Sequence, residues 1–391
     1  MDTSNDDIAV LQPLYDGENA PGILAVNPDW AYVPPVRLGF TLNLDREETT
    51  CLPAVAVEEA ERRRRQDFPI QQSNRYPSKL VEKALAEALA EDIGVDPANV
   101  LLGNGIMNIL TYIYAVYAKP LEYVTVPTPG FWPAYTYAMQ RGMGIRMPLY
   151  VQNRADTYRP TFRFPVDAIR EALSRTSPIC YLCNPNNPTG TLLPIEDIET
   201  LVTAFPATLF ILDEAYGAFA ANRLDTNHLE LSDGVRLIKR GHRNVVVART
   251  FSKAYALANH RIGYIVSDTS NITTIRAQMG PYDMSELSLA MAYYNYRERS
   301  HTLSVVRSVV TNMERFAAYL EDHHISHYGG YRNSLLVEGL SLSESYEQNG
   351  IAVRSMVYQP GIPNPIASTF RITIPADKRT STCSWMSQLG S

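Results

Sequence analysis

The stretch Ala248-Arg249-Thr250-Phe251-Ser252-Lys253-Ala254-Tyr255-Ala256-Leu257-Ala258-Asn259-His260-Arg261-Ile262-Gly263 decides how the rest of the chain is read. It continues the apolar, β-branched run Val245-Val246-Val247, so Lys253 stands just past the end of a strand buried on both faces. An ammonium ion there must be paired, deprotonated or used covalently. Covalent use is the option that the surrounding sequence develops.

Outward from this stretch, strand-like apolar runs fall near residues 100–102, 122–126, 145–149, 179–183, 208–212, 245–248 and 264–266. Between most of them lie helical patterns, such as Ile106, Ile109, Leu110, Ile113 and Tyr117. Short, uniformly apolar strands separated by helices predict an α/β fold built on a mainly parallel sheet. In such sheets ligands bind beyond the carboxyl ends of the strands, so the chemistry is expected just after each run. A long helical region over residues 285–321 and strand-like runs at 334–340, 350–356 and 369–374 predict a smaller α+β domain. Residues 1–40 read as an extended arm, and a helix is expected over 52–66. The expected division is 1–70 for the arm and part of the small domain, 71–280 for a large domain and 281–391 for a small C-terminal domain.

Composition narrows the classes. A chain of 391 residues is long enough for two cores. A formal charge of −6 argues against a general nucleic-acid or anionic-membrane binder. No apolar run approaches membrane-spanning length, and the start MDTSNDDIAV is too acidic for a secretory or organellar presequence. Four cysteines do not make a disulfide framework. Cys180 and Cys183 read as buried strand residues, with no further ligands spaced for zinc, so no metal is expected. These features predict a cytoplasmic protein. The run Glu61-Arg62-Arg63-Arg64-Arg65 reads as a solvated helix face.

Each strand end carries polar chemistry. Gly103-Asn104-Gly105 opens directly into a helix, whose first N–H groups suit an anion. Phe131-Trp132-Pro133-Ala134-Tyr135 offers rings for stacking on a flat group. Asn184-Pro185-Asn186-Asn187-Pro188-Thr189-Gly190 is a rigid loop able to hold an amide in place, and Asp213-Glu214-Ala215-Tyr216 puts a carboxylate at a strand end with a phenol three residues on. Thr250, Ser252, Lys253 and Arg261 follow. Separately these are turns, caps and solvated lysines. Their order along one chain is what such separate readings leave unexplained.

Together, Asn186-Asn187-Pro188-Thr189-Gly190, Asp213-Glu214-Ala215-Tyr216 and Ser252-Lys253 resemble fold type I, class I/II aminotransferases dependent on pyridoxal phosphate, especially histidinol-phosphate aminotransferases, over roughly residues 35–375. The resemblance implies a seven-stranded large domain, a smaller domain and a homodimer. It makes Lys253 the Schiff-base lysine and proton carrier, with Asp213 on the pyridinium nitrogen and Asn187 and Tyr216 on the phenolic oxygen. It assigns the phosphate to Gly105, Ile106, Thr250, Ser252 and Arg261, and ring stacking to Trp132, with Phe131 as second choice. It has Tyr76, in Asn74-Arg75-Tyr76-Pro77, reach the partner subunit's phosphate. Arg371 would hold a substrate α-carboxylate, and Arg354 a second anion. The substrates implied are an amino acid, or an amino-alcohol phosphate, and a keto acid.

The match departs at three places. Ile106-Met107-Asn108 follows Gly105 where those relatives show a small residue and two acids, and Asn259-His260 precedes Arg261. His260 reads as a local polar contact or as a substrate acid/base. The stretch Leu42-Asn43-Leu44-Asp45-Arg46-Glu47-Glu48 also replaces the usual Asn-Glu-Asn-Pro pattern. These changes leave the cofactor chemistry alone and open the substrate and reaction. A lyase, decarboxylase, oxidase or cyclase is the alternative to transamination, and a pyridoxal-phosphate-binding regulator module is a distant third reading.

Overall fold

In the computed structural model, residues 8–12, 39–68, 74–224, 228–231, 233–356 and 362–376 are described. Most of the arm predicted for residues 1–40, including most of the acidic start, lies outside them. The strands, in chain order, are β1 (Ile8–Leu11), β2 (Leu42–Asn43), β3 (Val100–Gly103), β4 (Tyr123–Thr125), β5 (Gly144–Pro148), β6 (Val151–Asn153), β7 (Thr161–Arg163), β8 (Ile179–Cys183), β9 (Leu209–Asp213), β10 (Val245–Thr250) and β11 (Gly263–Ser267). After a helical region come β12 (His327–Tyr328), β13 (Ser334–Glu338), β14 (Ile351–Ala352), β15 (Arg354–Ser355) and β16 (Thr369–Thr373).

Eight strands pair in the order β1-β5-β4-β8-β9-β10-β11-β3. The run from β5 through β10 is parallel, while β11 is antiparallel to both neighbours. All seven expected strands are present. The eighth, β1, adds antiparallel to the β5 edge, so this part of the arm lies on the large sheet. Every residue of β3, β8, β9 and β11 is buried, as expected for a sheet covered by helices on both faces. Cys180 and Cys183 sit unpaired within β8, both buried.

A second sheet, β12-β13-β16-β15, is antiparallel, and β2 pairs with β14 beside it. Residues after β2 are laced to this small sheet: the Thr373 N–H donates to the Leu44 carbonyl at 2.9 Å, and the Glu47 N–H to Thr373 Oγ1 at 2.9 Å. The segment 44–50 is thereby carried across to the ends of the large-sheet strands.

Two helix boundaries differ from expectation. The helix predicted from residue 52 begins at Val57: Pro53 disfavours helical backbone at Leu52, and the Val55 N–H and carbonyl are both taken by the Asn295 side-chain amide. The region 285–321 is two helices, Glu286–Arg297 and Arg299–Asp322. The break at Glu298 lets Arg299 pair with Asp92 and, at 2.9 Å, with Glu230. The arginine run is tied along its own helix by Glu59 and Glu61, with Arg64 buried and also facing Glu286.

Candidate active site

The carboxyl ends of β3, β4, β8, β9 and β10, with the residues that enter antiparallel β11, border one cavity of about 550 Å³. Ile106, Phe131, Trp132, Asn187, Asp213, Tyr216, Thr250, Ser252, Lys253, Arg261, Arg354 and Arg371 all line it. The expectation that chemistry follows each run holds for five of the seven: no residue just after β5 or β11 lines the cavity, and antiparallel β11 has its carboxyl end at the opposite edge of the sheet.

One end of the cavity is suited to an anion. The helix Gly105–Tyr117 starts with no side chain capping its first N–H groups, which leaves the positive end of the helix dipole toward the pocket. Gly105 has φ +78°, and a Cβ there would come 2.7 Å from Arg261 Nη2, so only glycine lets the guanidinium lie over the helix start. A Cβ on Gly263 would come 2.9 Å from the Ile106 nitrogen. Thr250 Oγ1 and Ser252 Oγ are hydrogen-bonded at 3.0 Å beside them.

In the middle stands Lys253, whose ammonium donates to the Arg46 carbonyl at 3.0 Å. Burial, reinforced by the Arg371 and Arg261 guanidiniums, pulls its pKa down to about 7 against the opposing pull of Glu48 and Asp213. Asp213 is buried at the end of β9 and accepts hydrogen bonds from Tyr181 and from the Ala215 N–H at 3.0 Å. Burial pushes its carboxyl up, and these donors and Lys253 oppose that shift. Asn187 Nδ2 donates to Tyr216 Oη at 2.9 Å. Burial pushes the Tyr216 phenol up, which keeps it a proton donor.

The small sheet supplies the remaining wall. Arg371 on β16 and Arg354 on β15 are register partners in an antiparallel pair, so both side chains emerge on the cavity face. Like charges directly opposite repel, and an anion is the natural neighbour for both. One such anion belongs to the chain itself. Glu47, only 2% exposed and with φ +58°, lies 3.0 Å from Arg371 Nη1. Its other oxygen pairs with Arg332, a fully buried arginine stacked 4.6 Å over the Tyr216 ring.

Sequence reading missed the roles of Glu47, Arg332 and Tyr181. Arg332 had a signal: an arginine two residues before the apolar run Ser334–Glu338 must be buried or paired. Tyr181 had none, because a tyrosine inside an apolar strand reads as core. Two expected residues stand apart from the others. Tyr76 is 71% exposed and stacks on Tyr282 at 4.3 Å, away from the cavity lining. His260 lies in the turn Ala258–His260 beside Arg261 and is not a lining residue. Among the described residues, no cluster of His, Cys, Asp and Glu could hold a metal ion.

Residues 35–384 match the family described as aminotransferase class I and II. The chain belongs to that family. It is 32% identical to an aromatic amino acid aminotransferase of Rhodococcus erythropolis over 288 residues, 73% of this chain and 74% of that one. Identity to a histidinol-phosphate aminotransferase of Lactiplantibacillus plantarum is 28% over 258 residues, covering 66% of this chain and 68% of that protein. Its fold is that of the Sinorhizobium meliloti histidinol-phosphate aminotransferase solved with pyridoxal-5'-phosphate, with a TM-score of 0.74 at 23% identity over 90% of this chain and 91% of the other. Class I and II aminotransferases are enzymes whose cofactor is pyridoxal phosphate, and the donor set in this cavity fits that group. The free helix start and the Arg261 guanidinium would suit a phosphate, Asn187 and Tyr216 a phenolic oxygen, Asp213 a protonated ring nitrogen, and Lys253 a carbonyl carbon.

Proposed function

We propose that this aminotransferase moves an amino group from an amino acid or amino-alcohol phosphate to a keto acid, in two half-reactions centred on Lys253. The single observation that carries this reading is the convergence of Lys253, Asp213, Asn187 and Tyr216 on one cavity whose far wall holds Arg371 and Arg354.

When bound, pyridoxal phosphate supplies a ring that withdraws electrons from the substrate's amine-bearing carbon. The protein's residues do the rest. With its pKa near 7, Lys253 is a substantially neutral amine at neutral pH, able to act as nucleophile and then carry the proton at the reacting carbon. A buried carboxylate needs a charged or hydrogen-bonding partner, and Asp213 would find one in the protonated ring nitrogen. Asn187 and Tyr216 would hold the phenolic oxygen by donation, which it would accept in place of the Glu47 carboxylate that takes both donors here. Gly105, Ile106, Thr250, Ser252 and Arg261 hold the phosphate. Trp132 would cover the ring, with Phe131 as the second choice, and Arg371 and Arg354 would orient the substrate through its anionic groups. Bidentate guanidiniums suit carboxylate and phosphate better than an ammonium would.

We further propose a division into a large cofactor-binding domain, residues 71–280, and a small domain, residues 281–391 with part of 1–70. The working unit would be a cytoplasmic homodimer with Tyr76 completing the partner's site. The unpaired buried cysteines favour a reducing compartment. Product analysis tests the reaction: candidate amines incubated with and without a keto acid should yield the matching carbonyl compound and a new amino acid. Release of ammonia or carbon dioxide with no amino transfer would replace this reading with the lyase, decarboxylase, oxidase or cyclase alternative.

A further inference from the structure

Lys253 is held at both ends by one segment that belongs to the other sheet. Its Nζ donates to the Arg46 carbonyl at 3.0 Å. A little further along the same segment, Thr49 Oγ1 donates to the Lys253 main-chain carbonyl. That carbonyl also accepts from the Ala256 N–H at 3.2 Å, closing the turn that follows β10. The segment 44–50 is itself fastened to the small sheet along its length. The Leu44 N–H donates to the Ala352 carbonyl at 2.8 Å, and the Leu44 carbonyl accepts from the Thr373 N–H at 2.9 Å. The main chain of Glu47 binds the Thr373 and Asn333 side chains, and Thr50 Oγ1 accepts from the Ala376 N–H at 3.1 Å. The position of the lysine amine is therefore set by the small sheet as well as by β10.

We propose that Thr49 is a positioning residue for Lys253, and that the Arg46 carbonyl is the seat of the lysine amine while it is not bonded to the cofactor. This inference rests on the proposed amino transfer, in which the freed lysine takes a proton from the substrate's amine-bearing carbon and hands it on. The amine must then stay within reach of that carbon, which its flexible four-carbon stem does not ensure. It must also keep its lone pair available. A main-chain carbonyl meets both demands. It accepts one N–H from the neutral amine and leaves the lone pair free, and once the proton has moved onto Nζ it accepts from the ammonium as well. A carboxylate in that seat would instead favour the charged form. Arg371 on β16, Arg261 before β11, Glu48 on the segment itself and Asp213 on β9 act on the amine by charge, and the Tyr216 ring centroid lies 5.8 Å away. The hydrogen bond goes to Arg46. Substitution cannot remove a main-chain carbonyl, but Thr49 can be changed, and without its hydroxyl the segment loses its link to the Lys253 backbone.

The cofactor-free protein gives a readout that needs no turnover. Lys253 is reductively methylated with formaldehyde and cyanoborohydride across the neutral to alkaline range, and its extent of labelling is read by peptide mass spectrometry. Wild type should show a midpoint at about 7. Thr49→Val, with the segment loosened and the amine better hydrated, should move the midpoint up by about one pH unit, and Thr49→Ser should return it. In the cofactor-loaded enzyme, the first-turnover rate with an amine donor should fall on the order of 10-fold in Thr49→Val and recover in Thr49→Ser, with the half-saturating donor concentration unchanged. An unmoved midpoint, or a first-turnover rate equal to that of wild type, overturns the proposal even where Thr49→Val melts lower, since lower melting alone is what a merely structural contact gives. If wild type transfers no amino group, the proposed function falls and the midpoints alone decide the seat. Thr49→Ala replaces Thr49→Val if the latter does not fold.

Discussion

Tyr181 donates its phenolic hydrogen to the Asp213 carboxylate across the β8–β9 pair, which ties the acid proposed to meet the cofactor's ring nitrogen to the middle of the large sheet. Asp213 also accepts from Ala215 N–H at 3.0 Å. The position of this carboxylate is thus set by a strand neighbour and by the turn that follows it. A hydrogen bond to a charged group is worth about 1.5–3 kcal/mol. Tyr181→Phe should therefore weaken pyridoxal phosphate retention on the order of 10-fold or more, with far-UV circular dichroism unchanged. Equilibrium dialysis of the cofactor against the two proteins measures it, and equal retention would remove Tyr181 from the site.

Lys253 gives a pH dependence whose sign follows from its shift. Its pKa is about 7 in the folded protein against an ordinary 10.5. Below about pH 7 the amine is protonated in folded and unfolded chains alike, and the folded state carries the full cost of a buried ammonium. Between about 7 and 10.5 the unfolded chain binds more protons, so this residue's contribution to stability rises with pH. Cofactor-free Lys253→Met should melt above cofactor-free wild type at about pH 6, with the gap closing toward about pH 10. A gap that widens with pH would contradict the shift.

Beneath the site, Arg249 and Glu214 form a buried ion pair at 2.9 Å. Removing one partner of such a pair typically costs about 3–5 kcal/mol, whereas replacing both with apolar residues is often tolerated. Arg249→Met should lower the urea midpoint sharply, and the double variant Glu214→Leu/Arg249→Met should recover much of the loss. Unfolding curves followed by fluorescence distinguish this from a surface pair, for which the single change would be nearly silent.

The exposed Tyr76–Tyr282 stack concerns assembly. Two aromatic rings left 71% and 50% exposed in one chain are candidates for cover by a second copy. Light scattering should give twice the 43.8 kDa chain mass. If Tyr76 serves the partner's site, mixing Tyr76→Ala with Lys253→Ala chains should yield more activity than the two give separately. A monomer in solution, or no complementation, would remove Tyr76 from the site.

Much of this architecture is legible from sequence because its signals are local. Strands buried on both faces read as short apolar runs, and the parallel-sheet rule then locates the chemistry at their ends. Asn187, Asp213, Tyr216, Lys253 and Arg261 are found that way. What is not legible depends on contacts between distant segments. Glu47 reaches Arg332 and Arg371 across hundreds of residues, and nothing in residues 42–48 announces a buried carboxylate with left-handed backbone. The strand β1 was hidden for a related reason, since a four-residue edge strand in a polar arm carries too little periodicity to stand out. Helix starts erred where proline overrides an apolar pattern, as at residues 52–53.

Lys253 and its neighbours are proposed to support reversible amino transfer on pyridoxal phosphate. The most direct measurement is a single-turnover spectrum of the cofactor-loaded enzyme mixed with an amine donor and then with a keto acid. The yellow colour should be lost to the amine form of the cofactor and restored by the keto acid, and Lys253→Ala should show no borohydride-fixable chromophore at that position. A protein that stays colourless after incubation with pyridoxal phosphate, or one whose colour is lost to the donor and never restored, would contradict it.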